Sequence, residues 1–500
     1  MPEPVEIPAP VRATTRLADA TSSLASAVGS GARSIGGAGY RRARENLPMA
    51  FATTNPATGE VEKSFDAHTP EEVETRLARA HAAFGTMRSM SFGERARLMH
   101  SAADLLDAEN PAIARILTTE MGKTFAAAKA EVSKCALGLR WFADHAAELL
   151  ADERIDDHSF VRYDPLGPVL AVMPWNFPLW QVMRFAGPGL MAGNVGVLKH
   201  AANVPQTAVS IEELFRRAGY PDGAFTTLLV ASTDVAAIVE DERIAAVTLT
   251  GSERAGAAVA EVAGRVLKKC VLELGGSDPF VVMASADLER SAQVAVTARV
   301  QNNGQSCIAA KRFIVEASAY DEWCDRFVAG MAALTVGDPM DPGTDVGPLV
   351  SRTQRDEIAA QVEDARAKGA TVACGGAAPD RPGWYYEPTV LLDVTTEMRV
   401  LQEEVFGPVA TVEKAADVDD AIRIANRTQY GLGSSVWTTD AEERDRLVAG
   451  IQAGQVFVNT MVVSSPELPF GGIKRSGYGR ELSGLGIKEF CNAKAVRQGA

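Results

Sequence analysis

The sequence predicts an α/β protein built from two doubly wound domains, each with a mostly parallel sheet. Three observations support this prediction. The chain has 500 residues, which is too long for one ordinary domain. Several short apolar runs are continuous and bounded by Pro, Gly or polar residues, as is typical of strands buried on both faces. Helical stretches separate these runs, and strands that alternate with helices indicate parallel βαβ units.

The first α/β series begins at Gly167 and ends near residue 272. Its strands are predicted at residues 169–173, 195–199, 226–230 and 247–250. The helices between them are predicted at residues 206–218, 234–241 and 254–265. Upstream, the run from Thr69 to Glu72 predicts a helix start. The Thr69 side chain would accept a hydrogen bond from the Glu72 backbone N–H, and the Glu72 side chain would accept one from the Thr69 backbone N–H.

The second series begins near Glu273. Its strands are predicted at residues 279–283, 313–315 and 455–459, and a helix is predicted at residues 286–300. The two domains are therefore expected to meet near residue 272.

Composition and charge exclude several classes of function. The net charge of −14 argues against a nucleic-acid binder, and no apolar run approaches the ~20 residues that cross a bilayer. The six cysteines and six histidines are scattered without ligand spacing, so neither disulfides nor a metal site is expected, and a reducing, cytoplasmic location fits. Residues 1–45, rich in Ala, Ser, Gly, Pro and Arg, are predicted to be a poorly ordered N-terminal extension. A transit peptide is opposed by Glu3 and Glu6.

Cys307 is the most informative single residue. It ends the polar run QNNGQSC, residues 301–307, between the predicted helix and the strand at 313–315. A thiol held at such a junction is a candidate nucleophile. Most free cysteines are instead buried structural residues, and this run alone leaves both interpretations open.

Further motifs accompany Cys307, and together they resemble a known family. They are PWNFP at 174–178, TGS at 250–252, LELGGSDP at 272–279, EEVFGP at 403–408 and PFGG at 469–472. In this order and spacing they resemble the aldehyde dehydrogenase superfamily, from about Thr54 to Val496. The runs LKHA at 198–201 and QNNGQSCIAAKR at 301–312 look like those of bacterial succinate-semialdehyde dehydrogenases. The resemblance implies two Rossmann-like domains of the aldehyde dehydrogenase fold with a bridging β-extension.

The resemblance also implies a covalent mechanism. Cys307 would add to the aldehyde carbonyl and carry first a thiohemiacetal and then a thioester. Glu273 resembles the general base for the hydrolytic water, and Asn176 resembles the oxyanion donor beside the Cys307 backbone N–H. Because a free thiol is only ~3% ionised at pH 7, its surroundings must assist.

NADP is the expected cofactor, with use of NAD left open. The residues that the resemblance assigns to the dinucleotide are Trp175, Lys199, His200, Gly251, Ser252, Gly256, Glu404 and Phe406. Gly251 and Ser252 would present a helix N-terminus to the pyrophosphate. In NAD-preferring relatives a glutamate three residues after the lysine binds the ribose and would repel a 2′-phosphate. Ala202 stands there in this chain, so Lys199 and His200 are expected to face the phosphate.

Succinic semialdehyde is the expected substrate. Because it carries a carboxylate, its binding site is expected to contain a cation and hydroxyl groups. The residues that the resemblance assigns to the substrate are Arg184, Gln301, Ser464, Ser465 and Phe470. The alternative for Arg184 is an ordinary helix-surface ion pair. Gln301 stands where some members have a second arginine, which would make the site more permissive. The alternative function is a broader NAD(P)-dependent aldehyde dehydrogenase acting on glutarate semialdehyde or aliphatic aldehydes.

The resemblance divides the chain into functional parts. Residues 46–150 with 167–272 would form the NAD(P)-binding domain, and residues 273–465 the catalytic domain. Residues 151–166 and 484–497 would be bridging strands that pair across subunits in a homodimer or homotetramer.

Two rival classes are disfavoured. A cysteine hydrolase needs a histidine beside its thiol, and none follows His200. A catalytically idle relative would not need Cys307, Glu273 and Asn176 together.

Overall fold

The computed structural model describes residues 51–499. The predicted N-terminal extension, residues 1–45, lies outside the described residues. Within residues 51–499, no helix combines the length and apolar character that crossing a bilayer requires. The same part of the chain contains no group of three His, Cys, Asp or Glu side chains arranged to hold a metal ion.

Helices and strands alternate along most of the described chain. The α-helices are α1 (Pro70–Ser89), α2 (Phe92–Ala108), α3 (Asn110–Met121), α4 (Phe125–Leu149), α5 (Trp180–Ala192), α6 (Pro205–Arg217), α7 (Val235–Glu240), α8 (Glu253–Arg265), α9 (Leu288–Val300), α10 (Tyr320–Ala332), α11 (Arg352–Ala367), α12 (Arg399–Gln402), α13 (Val418–Asn426), α14 (Ala441–Gly450) and α15 (Ser483–Glu489). The strands are β1 (Phe51–Thr54), β2 (Val61–Phe65), β3 (Glu153–Arg154), β4 (Ser159–Pro165), β5 (Pro168–Met173), β6 (Val195–His200), β7 (Phe225–Thr227), β8 (Ala246–Thr250), β9 (Lys269–Glu273), β10 (Pro279–Val282), β11 (Arg312–Glu316), β12 (Thr371–Cys374), β13 (Thr389–Leu392), β14 (Val409–Ala415), β15 (Ser435–Trp437), β16 (Phe457–Val458), β17 (Gly477–Tyr478) and β18 (Cys491–Arg497).

The first large sheet has six strands in the order β17-β9-β8-β5-β6-β7. All neighbours are parallel except β17, which runs antiparallel to β9. Its central strands are buried, as their continuous apolar runs predicted. β7 ends at Thr227, short of the predicted residue 230, because Leu229 exchanges hydrogen bonds with His68 instead of continuing the ladder.

The second large sheet has seven strands in the order β12-β13-β14-β11-β10-β15-β16. Aromatic side chains fill the core on one of its faces, with Phe280 against Phe313 and Trp437, and Trp323 against Phe313. β16 is confined to Phe457–Val458, within the longer strand predicted at residues 455–459. The two helix-covered sheets confirm the predicted pair of Rossmann-like α/β domains.

The chain passes from the first sheet to the second between Glu273 and Pro279. Gly477–Tyr478 later returns to the edge of the first sheet. The division of labour between the two sheets remains a prediction. The carboxyl ends of parallel strands are where ligands bind in such folds, and β5, β8 and β9 all deliver predicted site residues there.

Local sequence signals explain where several helices begin. The predicted capping box at α1 is confirmed: Thr69 Oγ1 accepts from Glu72 N at 3.2 Å, and the Glu72 carboxylate accepts from Thr69 N. At α8, Ser252 is the N-cap residue and accepts from Ala255 N at 3.4 Å.

A small three-stranded sheet, β18-β4-β3, corrects the prediction for the C-terminal segment. Residues 484–489 are helical, so only Cys491–Arg497 is a strand. β18 pairs antiparallel with β4 of the same chain, from Cys491 opposite Pro165 to Arg497 opposite Ser159. The strand that was predicted to pair across subunits thus has a hairpin partner within its own chain, and contact between subunits stays a prediction. The other edge of β18 has no strand partner among residues 51–499.

Candidate active site

A cleft of ≈ 360 Å³ lies between the carboxyl ends of β5, β8 and β9 and the loop that carries Cys307. The predicted site residues that line it are Trp175, Asn176, Gly251, Ser252, Cys307, Glu404 and Phe406. The cleft therefore brings together residues more than 200 positions apart in the sequence.

The Cys307 loop leaves α9 through an unusual turn. Asn302 and Asn303 both have φ of 57°, and Gly304 has φ of +74°. Asparagine tolerates this left-handed conformation better than most residues, and glycine adopts it freely. A side chain at Gly304 would meet Gly407 at 2.4 Å, so the loop packs directly on the EEVFGP motif.

The two asparagine side chains tie this loop to the rest of the site. Asn302 Nδ2 donates to the carbonyl oxygens of Asn176 and Gln305, both at 2.8 Å. Asn303 Nδ2 donates to Gly122 O at 2.8 Å and Pro348 O at 2.9 Å. All these groups are buried, so each bond is costly to lose.

Lys311 fixes the backbone of the Cys307 loop. Its buried Nζ donates to the carbonyl oxygens of Ser306, Cys307 and Ala309 at 2.8–3.1 Å. The same ammonium lies 3.7 Å from Glu404 Oε1, which gives it a counter-charge. Burial lowers the pKa of Lys311, while Glu404 opposes that shift.

Cys307 is partly exposed by surface area, yet its thiol lies deep enough for burial to dominate its ionisation. Burial raises the pKa of the Cys307 thiol to about 12, although the charges of Arg184 and Lys311 act in the opposite direction. The protein alone therefore keeps this cysteine as a thiol at neutral pH. A thiolate needs a further positive charge or a nearby base.

The Asn176 side chain is fixed by two hydrogen bonds. Its Oδ1 accepts from Gln181 Nε2 at 3.0 Å, and its Nδ2 donates to Gln305 O at 3.1 Å. Because the oxygen is occupied by Gln181, the amide presents its NH₂ side toward the Cys307 loop. An amide nitrogen carries two protons, so one remains for a developing oxyanion.

Glu273 ends β9 and is fully buried. Neither of its carboxylate oxygens accepts a hydrogen bond from residues 51–499. A side chain at Gly471 would lie 2.6 Å from Glu273 Oε1, so this glycine leaves room beside the carboxylate. Burial, reinforced by the charge of Glu481, raises the pKa of Glu273 well above its usual range. A buried carboxylate with a raised pKa and two unpartnered oxygens is a candidate general base.

Arg184 is buried on α5 rather than lying on a helix surface. Its Nε lies 2.7 Å from Glu481 Oε2, and its guanidinium lies 4.3 Å from the ring centroid of Phe470. Both partners of the ion pair are at most 4% exposed. The predicted carboxylate-binding arginine is therefore already paired with an acid that the sequence did not reveal.

The walls of the cleft are aromatic and glycine-rich. Trp175 and Phe406 face each other edge-on, with ring centroids 5.6 Å apart. Glu404 Oε1 accepts from Gly276 N at 3.0 Å. A side chain at Gly275 would meet Glu404 Oε2 at 2.8 Å, and one at Gly256 would meet Leu274 at 2.6 Å. A larger residue at either position would therefore displace the Glu404 or the Leu274 side chain.

Lys199 and His200 end β6, and their side chains differ in charge and in contacts. Lys199 is buried, and burial lowers its pKa. His200 Nε2 lies 2.8 Å from Pro178 O, and Nδ1 accepts from Ala201 N at 2.9 Å. Burial also lowers the pKa of His200 to about 4, so the ring is neutral. Both ring nitrogens of His200 are thus used by backbone groups, and its contact with a phosphate stays a prediction.

The remaining predicted substrate residues lie in two places. Ser464, Ser465 and Phe470 belong to the segment that leads to Gly471 beside Glu273. Ser464 is buried and accepts from Trp180 Nε1 at 2.9 Å. Gln301 caps α9 and donates to Ala298 O at 3.4 Å, so its amide is used locally.

Sequence reasoning missed several residues that shape the site. They are Gln181, Asn302, Lys311 and Glu481. Asn302 and Lys311 stand inside the quoted motif around Cys307, and Glu481 follows PFGG closely. Polar residues that stand close to predicted catalytic residues in the sequence could have been predicted as part of the site.

Comparisons with known proteins agree with this geometry. The family model described as "Aldehyde dehydrogenase family" matches residues 43–496. The succinate-semialdehyde dehydrogenase (NADP(+)) 1 of Mycobacterium tuberculosis is 60% identical over 454 residues, covering 90% of this chain and 99% of the relative. The NADP(+) succinate-semialdehyde dehydrogenase of Mycobacterium avium is 58% identical over 455 residues, covering 90% and 96%.

A solved structure is similar over the same region. It is the succinic semialdehyde dehydrogenase of Streptococcus pyogenes in complex with NADP+, with a TM-score of 0.88 and 38% identity. The alignment covers 90% of this chain and 100% of that one.

Proposed function

The chain belongs to the aldehyde dehydrogenase family, and on that premise we propose that it oxidises succinic semialdehyde to succinate with NADP. The observation that carries the proposal is one cleft lined by both the Cys307 thiol and the fixed amide of Asn176. This pairing suits addition of a thiol to a carbonyl group. The high identity to NADP(+) succinate-semialdehyde dehydrogenases over nearly their whole length supports the substrate and the cofactor.

The cleft residues fit NADP. Gly251 and Ser252 precede α8 and offer its N-terminal N–H groups to a pyrophosphate. Lys199 supplies a cation for a 2′-phosphate, and position 202 is an alanine that cannot repel it. Trp175 and Phe406 form the aromatic walls, and Glu404 would hold the nicotinamide ribose. Bound NADP+ supplies the acceptor for a hydride and a positive charge near the thiol.

Cys307 carries the first half of the reaction. Its sulfur bonds to the aldehyde carbon while the thiol proton leaves toward Glu273 or solvent. The oxyanion so formed is stabilised by Asn176 Nδ2 and by the Cys307 backbone N–H. Lys311 keeps this backbone in place by binding the carbonyl oxygens around it. Loss of hydride from the substrate carbon leaves a thioester on Cys307.

Glu273 acts in the second half of the reaction, the hydrolysis of the thioester. Its carboxylate removes a proton from water as the water oxygen bonds to the thioester carbon. The carbon–sulfur bond then breaks, and succinate leaves as the thiolate is regenerated. Burial gives Glu273 a raised pKa, which makes its ionised form a stronger base than an exposed glutamate.

We also propose a cytoplasmic homodimer or homotetramer. The open edge of β18 provides a surface that a second copy can cover. All six cysteines are free, which fits a reducing compartment. Light scattering on the full chain gives the mass, and a monomer at micromolar concentration would contradict the proposed assembly.

Absorbance at 340 nm tests the activity directly. Succinic semialdehyde, glutarate semialdehyde and butanal are each offered with NADP and with NAD, using Cys307→Ala as the control. We expect the highest kcat/KM for succinic semialdehyde with NADP and no turnover in the control. A higher value for butanal would overturn the proposed substrate. Turnover by Cys307→Ala would overturn the covalent mechanism.

A further inference from the structure

Lys134, on α4, is a cation without a carboxylate partner. Its Nζ donates to Ser464 Oγ at 2.9 Å and lies 4.5 Å from the ring centroid of Trp180. No ion pair within residues 51–499 includes Lys134. By contrast, its neighbour Lys123 is paired with Glu131, and Arg184 is paired with Glu481.

The Ser464 hydroxyl can donate a hydrogen bond beside the Lys134 ammonium. Its oxygen accepts from Lys134 Nζ and from Trp180 Nε1, each at 2.9 Å. Within residues 51–499 its own hydroxyl proton has no acceptor. A hydroxyl has one donor and two acceptor positions, so both acceptor positions are filled and the donor is left. A free O–H beside an ammonium suits a carboxylate ligand.

The pair lies near Arg184, whose positive charge acts on Lys134 and also on Cys307. Trp180 and Arg184 are four residues apart and therefore share a face of α5. Ser464 and Phe470 belong to the same segment, and Phe470 packs on Arg184. The charge of Arg184 acts in turn on both Cys307 and Glu273. Lys134 and Ser464 are therefore close neighbours of the residues that the resemblance assigns to the substrate.

We propose that Lys134, with the hydroxyl of Ser464, binds the distal carboxylate of an ω-carboxylated aldehyde. The inference rests on the proposed function and assigns its substrate selectivity to a residue outside the predicted site. Arg184 is balanced by Glu481, so it contributes little net charge. Lys134 supplies the unbalanced positive charge that a carboxylate requires.

The charge of Lys134 depends on pH near neutrality. Burial lowers its pKa to about 8, and the positive charges of Arg184 and Lys123 act in the same direction. Cys135 and Glu131 oppose this shift. Lys134 is therefore mostly protonated at pH 7 and loses its charge above about pH 8, so binding of a carboxylate should weaken as the pH rises.

Steady-state kinetics on the full chain test the inference. Succinic semialdehyde and butanal have the same carbon chain and differ in the carboxylate. We expect Lys134→Met to lower the ratio of their kcat/KM values at least tenfold, mainly through a higher KM for succinic semialdehyde. Lys129→Met, which removes an exposed cation from the same helix, should leave the ratio within twofold. Lys134→Arg keeps the charge and should retain most of the ratio.

A pH series requires no substitution. Ionisation of Cys307 affects both aldehydes and cancels in the ratio. The ratio in the unaltered enzyme should fall as the pH passes about 8, and Lys134→Met should abolish this fall.

The outcomes separate the two proposals. An unaltered enzyme with no preference for succinic semialdehyde overturns the proposed function and this inference with it. A preference that survives in Lys134→Met, or a ratio that does not change with pH, overturns the role of Lys134 alone.

Discussion

Gln181 Nε2 donates a 3.0 Å hydrogen bond to Asn176 Oδ1, and this bond determines which side of the Asn176 amide faces the nucleophile loop. Gln181 also accepts from Phe177 N at 3.3 Å, so it braces both the amide and the backbone that carries it. The oxyanion donor is thus oriented by a residue one turn further along the chain.

Replacing Gln181 with Met should lower kcat about tenfold with little change in KM, because the Asn176 amide loses its fixed orientation. The loss should be smaller than the ~10²–10³ expected for removing the donor itself in Asn176→Ala. Steady-state rates provide the measurement, and Gln293→Met on the exposed face of α9 is the control. An unchanged kcat in Gln181→Met would show that the orientation does not depend on this bond.

Lys311→Met should lower the free energy of unfolding by about 3–5 kcal/mol, because Glu404 loses its counter-charge and three carbonyl groups lose a donor. Urea denaturation measures the change. Lys414→Met removes an exposed lysine 3.9 Å from Asp321 and should change stability by less than about 1 kcal/mol. Equal effects of the two substitutions would contradict the role given to Lys311.

Arg184→Leu should lower stability by about 3 kcal/mol as well as raise KM for succinic semialdehyde, because Glu481 would remain buried without a cation. Adding Glu481→Gln to Arg184→Leu should restore part of the lost stability. Denaturation and kinetics on the single and double variants separate the two effects. If KM for butanal rises as much as KM for succinic semialdehyde, Arg184 is not part of the substrate site.

Alkylation of Cys307 in the cofactor-free enzyme should accelerate about tenfold per pH unit between pH 7 and 9.5. The thiol pKa is raised to about 12, so the thiolate fraction keeps growing throughout this range. Mass spectrometry after timed exposure to iodoacetamide gives the rate, and glutathione in the same buffers calibrates the reagent. A plateau near pH 8.5 would mean that the thiol ionises as a free cysteine does.

Ala202→Glu should lower kcat/KM for NADP relative to NAD, because a carboxylate near Lys199 would repel a 2′-phosphate and accept from the ribose hydroxyls. The ratio of kcat/KM values for the two cofactors, measured with one aldehyde, is the readout. Ala202→Gln has a similar shape without the charge and serves as the control. A ratio that stays constant would remove position 202 from cofactor selection.

The sequence predicted the sheets better than the connections. Continuous apolar runs such as residues 169–173 indicate strands buried on both faces, because they are short and bounded by turn residues. The helix at Ser483–Glu489 was missed because two glycines in seven residues weaken the helical pattern. That helix is stabilised by tertiary packing, with Ile487 buried.

Within the site, the sequence motifs identified residues that face the cleft. They did not reveal the residues that form ion pairs or hydrogen bonds with the predicted site residues. The ion pair of Arg184 with Glu481 joins positions about 300 residues apart, which no local pattern reveals. His200 was predicted to face a phosphate beside Lys199 because position 202 lacks an acid. Its ring is instead occupied by neighbouring backbone groups, which only the fold shows.

The asparagine pair beside Cys307 has a consequence for how activity arises during folding. Asn302 bonds to a residue 126 positions earlier, and Asn303 bonds to residues 181 positions earlier and 45 positions later. Contacts of such long sequence separation form slowly, because a large loop must close before they are made. The nucleophile loop can therefore take its final shape only after these distant segments have come together, and catalytic competence cannot precede that assembly.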